Sequence, residues 1–306
     1  MRISVVIPTY NYAHYLAYAL DSVLTQTRPP DEIIVVDDGS TDNTRDVLAR
    51  YEHRIRYVYQ PNAGLSAARN TGTKLATGDW VAYLDSDDAW KPDKLLKQEE
   101  AVSKNPEAIL VYTGFWYLNP DGSFSEGATT LAPDRLWPSL RARNPIIAST
   151  SMAQRAAVLD AGGFNETLTS CEDWDLWVRL KVRGQFAVVP ERVTIYRLTP
   201  QSMSTNVRRM IDNMEAIRET SLLHGLRGLS RIVWTRRIRS VAHMHAAITA
   251  GGYSRTLERE HIIRSFVFWP SPWYEPRRCL VLLRNLMRPE AYKRFTSAYR
   301  KFSGTK

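Results

Sequence analysis

The sequence predicts an α/β protein with a doubly wound, mixed sheet and a basic, mainly helical C-terminal extension. Over about the first 90 residues, short apolar runs alternate with segments of helical periodicity. Polar clusters follow the ends of three of these runs. Charge is also unevenly distributed: residues 1–204 hold 21 Lys+Arg and 25 Asp+Glu, a net charge of −4, whereas residues 205–306 hold 20 and 7, a net charge of +13. We therefore place the boundary between the α/β part and the extension after residue 204.

Apolar, β-branched runs predict the strands, and apolar residues at helical spacing predict the helices. The expected strands are 3–7, 33–36, 56–59, 80–84, 110–118 and 148–152, and the expected helices are 13–25, 65–76 and 173–182. Beyond residue 205 the pattern is helical, with breaks near 251–252 and 270–276. In a doubly wound sheet the ligand lies beyond the carboxyl ends of the strands.

The D-x-D sequence at Asp85-Ser86-Asp87 directly follows a predicted buried strand. Two carboxylates at this spacing can share Mg²⁺ or Mn²⁺, cations that prefer oxygen ligands and complete their shell with phosphates and water. The alternative is a turn in which Ser86 or Asp88 caps the next helix. The position of the D-x-D sequence at the predicted ligand-binding edge of the sheet favours a metal site over this turn.

Two further acidic clusters each allow a structural and a functional interpretation. After the second strand, Asp37 and Asp38 precede residues that are expected to cap a helix, Ser40 or Thr41; a carboxylate there can also accept the imide N–H of a uracil or a comparable base. Glu172-Asp173 suits the first turn of a helix, where negative charge is favourable, or a general base that deprotonates an acceptor hydroxyl. For this last cluster, spacing alone favours the structural interpretation.

Five blocks in a fixed order resemble the inverting family 2 glycosyltransferases of the GT-A fold: SVVIPTYN, VVDDGSTDNT, NAGLSAARNTG, GDWVAYLDSDD and CEDWDLWVRL. The resemblance covers roughly residues 3–200, with a core of about 3–165. It implies a metal-dependent enzyme, with Mn²⁺ or Mg²⁺, that moves a sugar from a nucleotide-diphosphate donor, expected to be a UDP-sugar, to a hydroxyl. The acceptor would be a glycan or a lipid-linked molecule in the synthesis of a cell-surface polysaccharide or glycoconjugate.

The resemblance also implies roles for individual residues. Donor binding would fall to Pro8, Thr9, Tyr10, Asp38, Asn62, Gly64, Arg69, Asp85 and Ser86, the metal to Asp87 with Asp85, and base catalysis to Asp173 with Glu172 beside it. One segment departs from the family: within residues 196–204, Thr199 stands where many members carry a histidine. Arg197 and Ser202 could still bind phosphates, but no role of that histidine can be assigned to Thr199.

The C-terminal extension interleaves arginines with Trp, Phe and Tyr. This composition suits peripheral contact with an anionic membrane, or else a packing subdomain with a solvated basic face. No nucleic acid partner is expected, because no recognised binding motif occurs. Two cysteines suggest no disulfide framework, and we find neither a signal peptide nor an apolar run approaching about 20 residues. We therefore expect a cytoplasmic protein, peripheral at the inner face of a membrane.

Two other function classes remain open from the residues alone. A nucleotidyltransferase could use the same kind of sheet, but it would be expected to carry a glycine-rich, basic phosphate loop, and residues 8–15 contain neither glycine nor Lys/Arg. A non-catalytic interaction protein would have no need of Asp38, Asp85, Asp87 and Asp173 together.

Overall fold

The computed structural model describes residues 1–127, 130–199, 206–271, 275, 277–287, 290–292 and 294–296. The chain divides into two compact units, Met1–Ser202 and Met203–Lys306. Each unit is described by itself.

Four parallel strands form one half of the sheet in the first unit. They are β1 (Ile3–Thr9), β2 (Glu32–Asp37), β3 (Arg56–Tyr59) and β4 (Trp80–Tyr83), adjacent in the order β3-β2-β1-β4. Helices α1 (Ala13–Leu24), α2 (Thr44–Ala49) and α3 (Leu65–Leu75) connect them. Because the strands are parallel, all four carboxyl ends, and the polar clusters that follow them, lie at one edge.

The other half of the sheet is mixed. It contains β5 (Ala89–Trp90), β6 (Ala108–Leu118), β7 (Phe124–Glu126), β8 (Ser151–Gln154) and β9 (Gln185–Arg197). β8 runs antiparallel to both β4 and β6, and β9 runs parallel to β6. Helices α4 (Lys94–Lys104), α5 (Pro133–Leu140), α6 (Arg155–Asp160) and α7 (Glu172–Lys181) complete the unit. The predicted doubly wound, mixed sheet is confirmed; within the described residues it has nine strands.

The strand expected at 148–152 begins later than predicted. Residues Ala148–Thr150 form one turn of 3₁₀ helix, and β8 starts only at Ser151. The Thr150 hydroxyl donates to the Ile147 carbonyl and the Ser151 hydroxyl to the Ala148 carbonyl, both at 2.7 Å. Such local bonds from Ser and Thr compete with the strand ladder. The resulting turn places Ser149 beside the polar edge of the sheet.

The core of the first unit is formed by β-branched strand residues against the apolar face of α1. Ile3, Val5 and Ile7 alternate along β1 and are fully buried with Leu16 and Leu20 of α1. On α3, residue Gly72 packs against Val6 of β1; a Cβ at this glycine would lie 2.4 Å from Val6 Cγ1. The absence of a side chain at residue 72 therefore sets how closely α3 approaches the sheet.

The second unit is helical. Its described residues include α8 (Val207–Ile217), which continues into a π-helical turn at Arg218–Leu222, then α9 (Gly228–Ala250), α10 (Arg255–Phe268) and α11 (Arg277–Leu286). Buried Ala247, Ile262 and Val281 join α9, α10 and α11 in one apolar cluster. Across the helices that the structure describes, none has the length and hydropathy needed to cross a bilayer.

We predict that Gly72→Ala destabilises the first unit by about 1–3 kcal/mol, the usual cost of overpacking a core. Helix propensity alone predicts the opposite sign, because alanine is favoured over glycine inside a helix by up to about 1 kcal/mol. Urea unfolding would measure the change. The same substitution in a Val6→Ala background should cost less, since the clashing methyl groups are gone. A stabilised Gly72→Ala single variant would refute the packing argument.

Candidate active site

Arg69 lies at the centre of an ion cluster that joins three separate elements. Its guanidinium is fully buried on α3, with Nη2 2.5 Å from Asp85 Oδ1 and Nη1 2.5 Å from Glu172 Oε1. Phe164 covers it, with the ring centroid 5.3 Å from the guanidinium carbon. Arg69 and Glu172 are 103 residues apart in the chain. The cluster thus brings the acids after β4 and the acids that begin α7 into one site.

Asp87 shares the loop after β4 with Asp85. Burial and the negative charge of Asp85 raise the pKa of Asp87 to about 6, and the charges of Arg197 and Arg69 oppose this rise. Within the described part of the chain, no other residue donates a hydrogen bond to its carboxylate. Among the residues described, burial and the charge of Asp85 therefore outweigh the compensation that Arg197 and Arg69 give to the ionised form of Asp87.

Asp173 lies in the first turn of α7, next to Glu172. Its Oδ2 accepts from Asn144 Nδ2 at 3.0 Å and its Oδ1 from the Trp174 N–H at 2.6 Å. Burial, followed by the charge of Glu172, raises the pKa of Asp173 to about 7, and the positive charge of Arg69 limits the rise. A carboxyl that titrates near neutral pH is suited to proton transfer under physiological conditions.

The two acids after β4 fit a hard divalent cation. In the described ranges, no group of three or more His, Cys, Asp or Glu side chains is arranged to hold a metal ion alone. Asp85 and Asp87 would therefore provide only part of a coordination shell. Mg²⁺ in particular is commonly bound by one or two carboxylates together with substrate phosphates and water. The donor set thus suits a cation that is held jointly with a bound diphosphate.

Asp38 is buried at the end of β2 and organises the loop before α3. Its Oδ1 accepts from Gln60 Nε2 at 2.7 Å and from the Ala63 N–H at 2.9 Å, and its Oδ2 accepts from the Gly64 N–H at 2.8 Å. Gly64 adopts a positive φ of 93° directly before α3. An ionised carboxylate has about four acceptor sites. Asp38 therefore retains room for about one further donor, such as a base N–H.

The end of β1 lies beside this loop. Pro8 and Thr9 are buried, and the Thr9 carbonyl accepts from the Asp38 N–H at 2.9 Å. The Thr9 hydroxyl is buried with no hydrogen-bond partner among the described residues, whereas Tyr10 is 46% exposed. Asn62 is exposed and borders the same edge. These residues offer an aromatic ring and the unpaired Thr9 hydroxyl where parallel strands end.

Ser40 and Thr41 do not cap a helix as expected. α2 begins only at Thr44, and its N-cap residue, Asn43, makes no side-chain capping bond. Instead, the Ser40 hydroxyl accepts from the Asn11 N–H at 3.0 Å, and the Thr41 N–H donates to Asn11 Oδ1 at 2.7 Å. The two residues tie the loop after β2 to the loop after β1, so they shape the edge of the site.

The model of the family described as glycosyl transferase family 2 matches residues 4–161, more than half of the chain. The chain belongs to glycosyl transferase family 2. The expected family is thereby confirmed.

Curated relatives agree with this family. An uncharacterized glycosyltransferase of Nostoc sp. (strain PCC 7120) is 52% identical over 137 residues, which is 44% of this chain and 42% of the relative. TuaG of Bacillus subtilis (strain 168), a glycosyltransferase whose name assigns it to teichuronic acid biosynthesis, is 37% identical over 67% of this chain and 82% of its own. The chain spans 42% of the Nostoc relative and 33% of two glycosyltransferases from Rickettsia species.

Crystal structures of S. aureus TarS residues 1–349 show the same fold. The complex with UDP aligns with a TM-score of 0.63 at 18% identity, covering 98% of this chain and 92% of that one. The complex with UDP-GlcNAc has a TM-score of 0.62 at 17% identity with the same coverage. At such low identity the likeness concerns the fold, and it confirms the GT-A fold of the family 2 enzyme.

Sequence reasoning overlooked a set of buried hydrogen bonds around the D-x-D loop. They are made by Asp88, Ser149 and Arg197, which we call the clasp. Asp88 is fully buried; its Oδ2 accepts from the Ser149 hydroxyl at 2.6 Å, and its Oδ1 accepts from the Arg197 N–H at 2.9 Å. The same Ser149 oxygen accepts from the Asp85 N–H at 3.1 Å. Arg197 Nε donates to the Asp87 carbonyl at 2.9 Å. The backbone of both D-x-D acids is therefore held by the 3₁₀ turn and by the end of β9.

The sequence signal for this clasp was present but ambiguous. Asp88 is the third acid of D-S-D-D, and the sequence offered a helix cap only as the alternative interpretation, whereas its partners come from distant segments. The Arg197 guanidinium also stacks against Tyr15 and Tyr18 of α1, at 4.8 and 5.3 Å from the ring centroids. Thr199 is buried nearby in the chain. The rest of the segment, residues 200–204 with Ser202, lies outside the described residues.

We predict that Arg69→Met destabilises the fold by about 3–5 kcal/mol, the usual cost of leaving a buried charge without its partner. The buried carboxylate of Glu172 would lose its guanidinium. Thermal or urea unfolding at pH 7 would measure the loss.

The control is the same substitution in a Glu172→Gln background. With no charge left at residue 172, Arg69→Met should cost clearly less there. Equal losses in both backgrounds would mean that packing of the Arg69 side chain against Phe164, rather than the ion pair, sustains the cluster.

Proposed function

We propose that this family 2 enzyme transfers a sugar from a UDP-sugar to an acceptor hydroxyl with inversion of the anomeric centre. The observation that carries the proposal is the buried Arg69 bridge. It places the acids after β4, suited to a cation and diphosphate, beside the acids that begin α7, one of which titrates near neutral pH.

Asp173 is the group proposed to accept the acceptor's proton. Asn144 and the Trp174 N–H each bond one of its oxygens, which fixes the carboxyl plane and leaves lone pairs free. As the acceptor oxygen bonds to the anomeric carbon, the bond from that carbon to the donor phosphate breaks and the proton passes to Asp173. One displacement inverts the configuration, so an α-linked donor gives a β-linked product.

Asp85 and Asp87 are the groups proposed to hold Mg²⁺ or Mn²⁺. When bound, such a cation neutralises charge on the diphosphate leaving group. Arg69 keeps Asp85 in place and offsets the charge of Glu172. The clasp of Asp88, Ser149 and Arg197 holds the backbone of the loop, so that its acids need little reordering on donor binding.

The relatives indicate the kind of substrate. TarS has been crystallised in complex with UDP and with UDP-GlcNAc, which supports a uridine nucleotide donor. The name of TuaG, a relative of which 82% is covered, refers to teichuronic acid biosynthesis. We therefore propose a growing glycan or a lipid-linked saccharide as the acceptor. A panel of nucleotide sugars, assayed for Mn²⁺-dependent transfer and hydrolysis, tests the proposal; activity only as a nucleotidyltransferase would overturn it.

Asp87→Asn should abolish metal-dependent donor binding without harming the fold. The carboxyl's pKa rises from 3.8 to about 6 on folding, so at pH 7 its charge is less favourable in the folded than in the unfolded state. Removing that charge should leave thermal stability unchanged or raised. Titration calorimetry with UDP, with and without Mn²⁺, measures the binding.

The matched control is Asp121→Asn, an exposed acid in the turn before β7. It should bind UDP and Mn²⁺ as the unmodified chain does. Metal-dependent affinity that survives Asp87→Asn would remove Asp87 from the proposed cation site.

Asp173→Asn should retain donor binding but lose transfer by roughly 10²–10⁴-fold, the typical contribution of a general base. Glu172→Gln makes a useful comparison, because Glu172 pairs with buried Arg69 and its loss should first reduce stability. Steady-state kinetics together with unfolding curves separates the two roles. Near-normal turnover in Asp173→Asn would contradict the assignment.

The pH dependence of kcat/KM should follow the ionisation of Asp173. Since burial and the charge of Glu172 raise the pKa of Asp173 to about 7, the base is protonated below that pH and ionised above it. We expect kcat/KM to increase with pH through about 7 and then level off. The residual activity of Asp173→Asn should lack this rise.

A further inference from the structure

The helical unit exposes a row of aliphatic side chains to solvent. They come from three different helices. Leu229 and Ile232 of α9 are 75% and 59% exposed, Ile263 and Val267 of α10 are 50% and 67% exposed, and Leu286 of α11 is 70% exposed. We call these five residues, with Arg236 and Arg259, the basic apolar face. Isolated exposed aliphatics need no explanation, but a set shared by three helices does.

Helical geometry and hydrogen bonds make this face continuous. On α9, residues 229, 232 and 236 are three and four positions apart, as are neighbours on one side of a helix. Arg236 then reaches α10, where its Nε donates to the Phe268 carbonyl at 3.0 Å and its Nη2 to the Val267 carbonyl at 3.5 Å. One turn before Val267 lies Ile263.

The face continues from α10 to α11. Arg259 lies one turn before Ile263, on the same side of α10. Its Nη2 donates to the Asn285 carbonyl at 3.2 Å, next to the exposed Leu286. The guanidinium groups of Arg236 and Arg259 therefore connect the three helices and also alternate with the aliphatic side chains along the surface.

Charge in this part of the chain is strongly positive. α9 and α11 contain no Asp or Glu. On α10, Glu258 is fully buried beside Arg284, and Glu260 pairs with Arg264 at 2.8 Å. Residues 205–306 hold 20 Lys+Arg and 7 Asp+Glu. A partner for the basic apolar face must consequently offer both negative charge and an apolar interior.

We infer that the basic apolar face docks on an anionic lipid surface. Arginines would lie at the level of the headgroups while the aliphatic side chains enter the acyl boundary, as in helices that lie in a membrane interface. A soluble polyanion would satisfy the arginines but give no reason for exposed Leu229, Ile232 and Val267. The inference is independent of the proposed catalytic reaction, because it concerns only the helical unit.

The test is sedimentation of the full chain with vesicles, without donor, cation or acceptor. One vesicle preparation is phosphatidylcholine alone, and the other contains phosphatidylglycerol as well. We expect binding to the anionic vesicles, poor binding to the neutral ones, and weakening with added salt, because charges are screened over about 10 Å at 0.1 M. Equal binding to both lipids, or binding to neither, would overturn the inference.

Two double variants with matched chemistry locate the surface. Ile232→Ser/Val267→Ser removes apolar contacts from the face, whereas Ile248→Ser/Tyr253→Ser removes exposed apolar groups elsewhere; Ile248 lies about 160° around α9 from Ile232. We expect the first variant to weaken binding at least about tenfold and the second to leave it unchanged. Leu286→Ser provides a third, independent position on the face.

Competition decides between lipid and a soluble polyanion. Dextran sulfate should reduce vesicle binding only in part, and the Ile232→Ser/Val267→Ser variant should bind dextran sulfate as the unmodified chain does. If that variant binds vesicles normally while dextran sulfate displaces them completely, the face is a polyanion site and the lipid inference fails. Circular dichroism of each variant confirms that the helices are intact.

Discussion

The buried guanidinium of Arg69 is the constraint on which the site depends. Moving a charge out of water is costly, and only well-placed opposite charges offset that cost. Asp85 and Glu172 meet this requirement from the end of β4 and the start of α7. The packing of α3 against β1, close because residue 72 has no side chain, determines where the guanidinium can lie. Fold and site are therefore coupled through one side chain.

Four acids at the same edge of the sheet differ because their surroundings differ. Asp38 is satisfied by three donors from the loop before α3 and serves first to shape that loop. Asp88 is equally buried and accepts from Ser149 and Arg197, which in turn bond the backbone of Asp85 and Asp87. Asp87 and Asp173 have raised pKa values because burial and adjacent negative charge disfavour their ionised forms. Burial and the charges of Asp87 and Asp85 also raise the pKa of Asp88, so its hydrogen-bond partners, rather than its pKa, distinguish its structural role.

Much of the first unit could be predicted from local pattern. The continuous β-branched run of β1 was sufficient because it is typical of a fully buried strand. The helical spacing of Leu16 and Leu20 in α1 was sufficient because it is typical of a helix with one buried face. Prediction failed where a polar side chain could form hydrogen bonds with more than one partner. Ser40 and Thr41 bond the loop after β1 instead of capping α2, and the hydroxyls around Ser149 delay the start of β8.

The sequence by itself determined the strands of the parallel half of the sheet and the acids that follow them, because apolar β-branched runs and the polar clusters after them are local features of the chain. Only the tertiary structure decided how those acids differ. The pairing of Arg69 with Glu172, the clasp of Asp88, Ser149 and Arg197, and the three-helix basic apolar face each join segments far apart in the chain. Such pairings depend on where packing places each side chain, and desolvation then sets its charge.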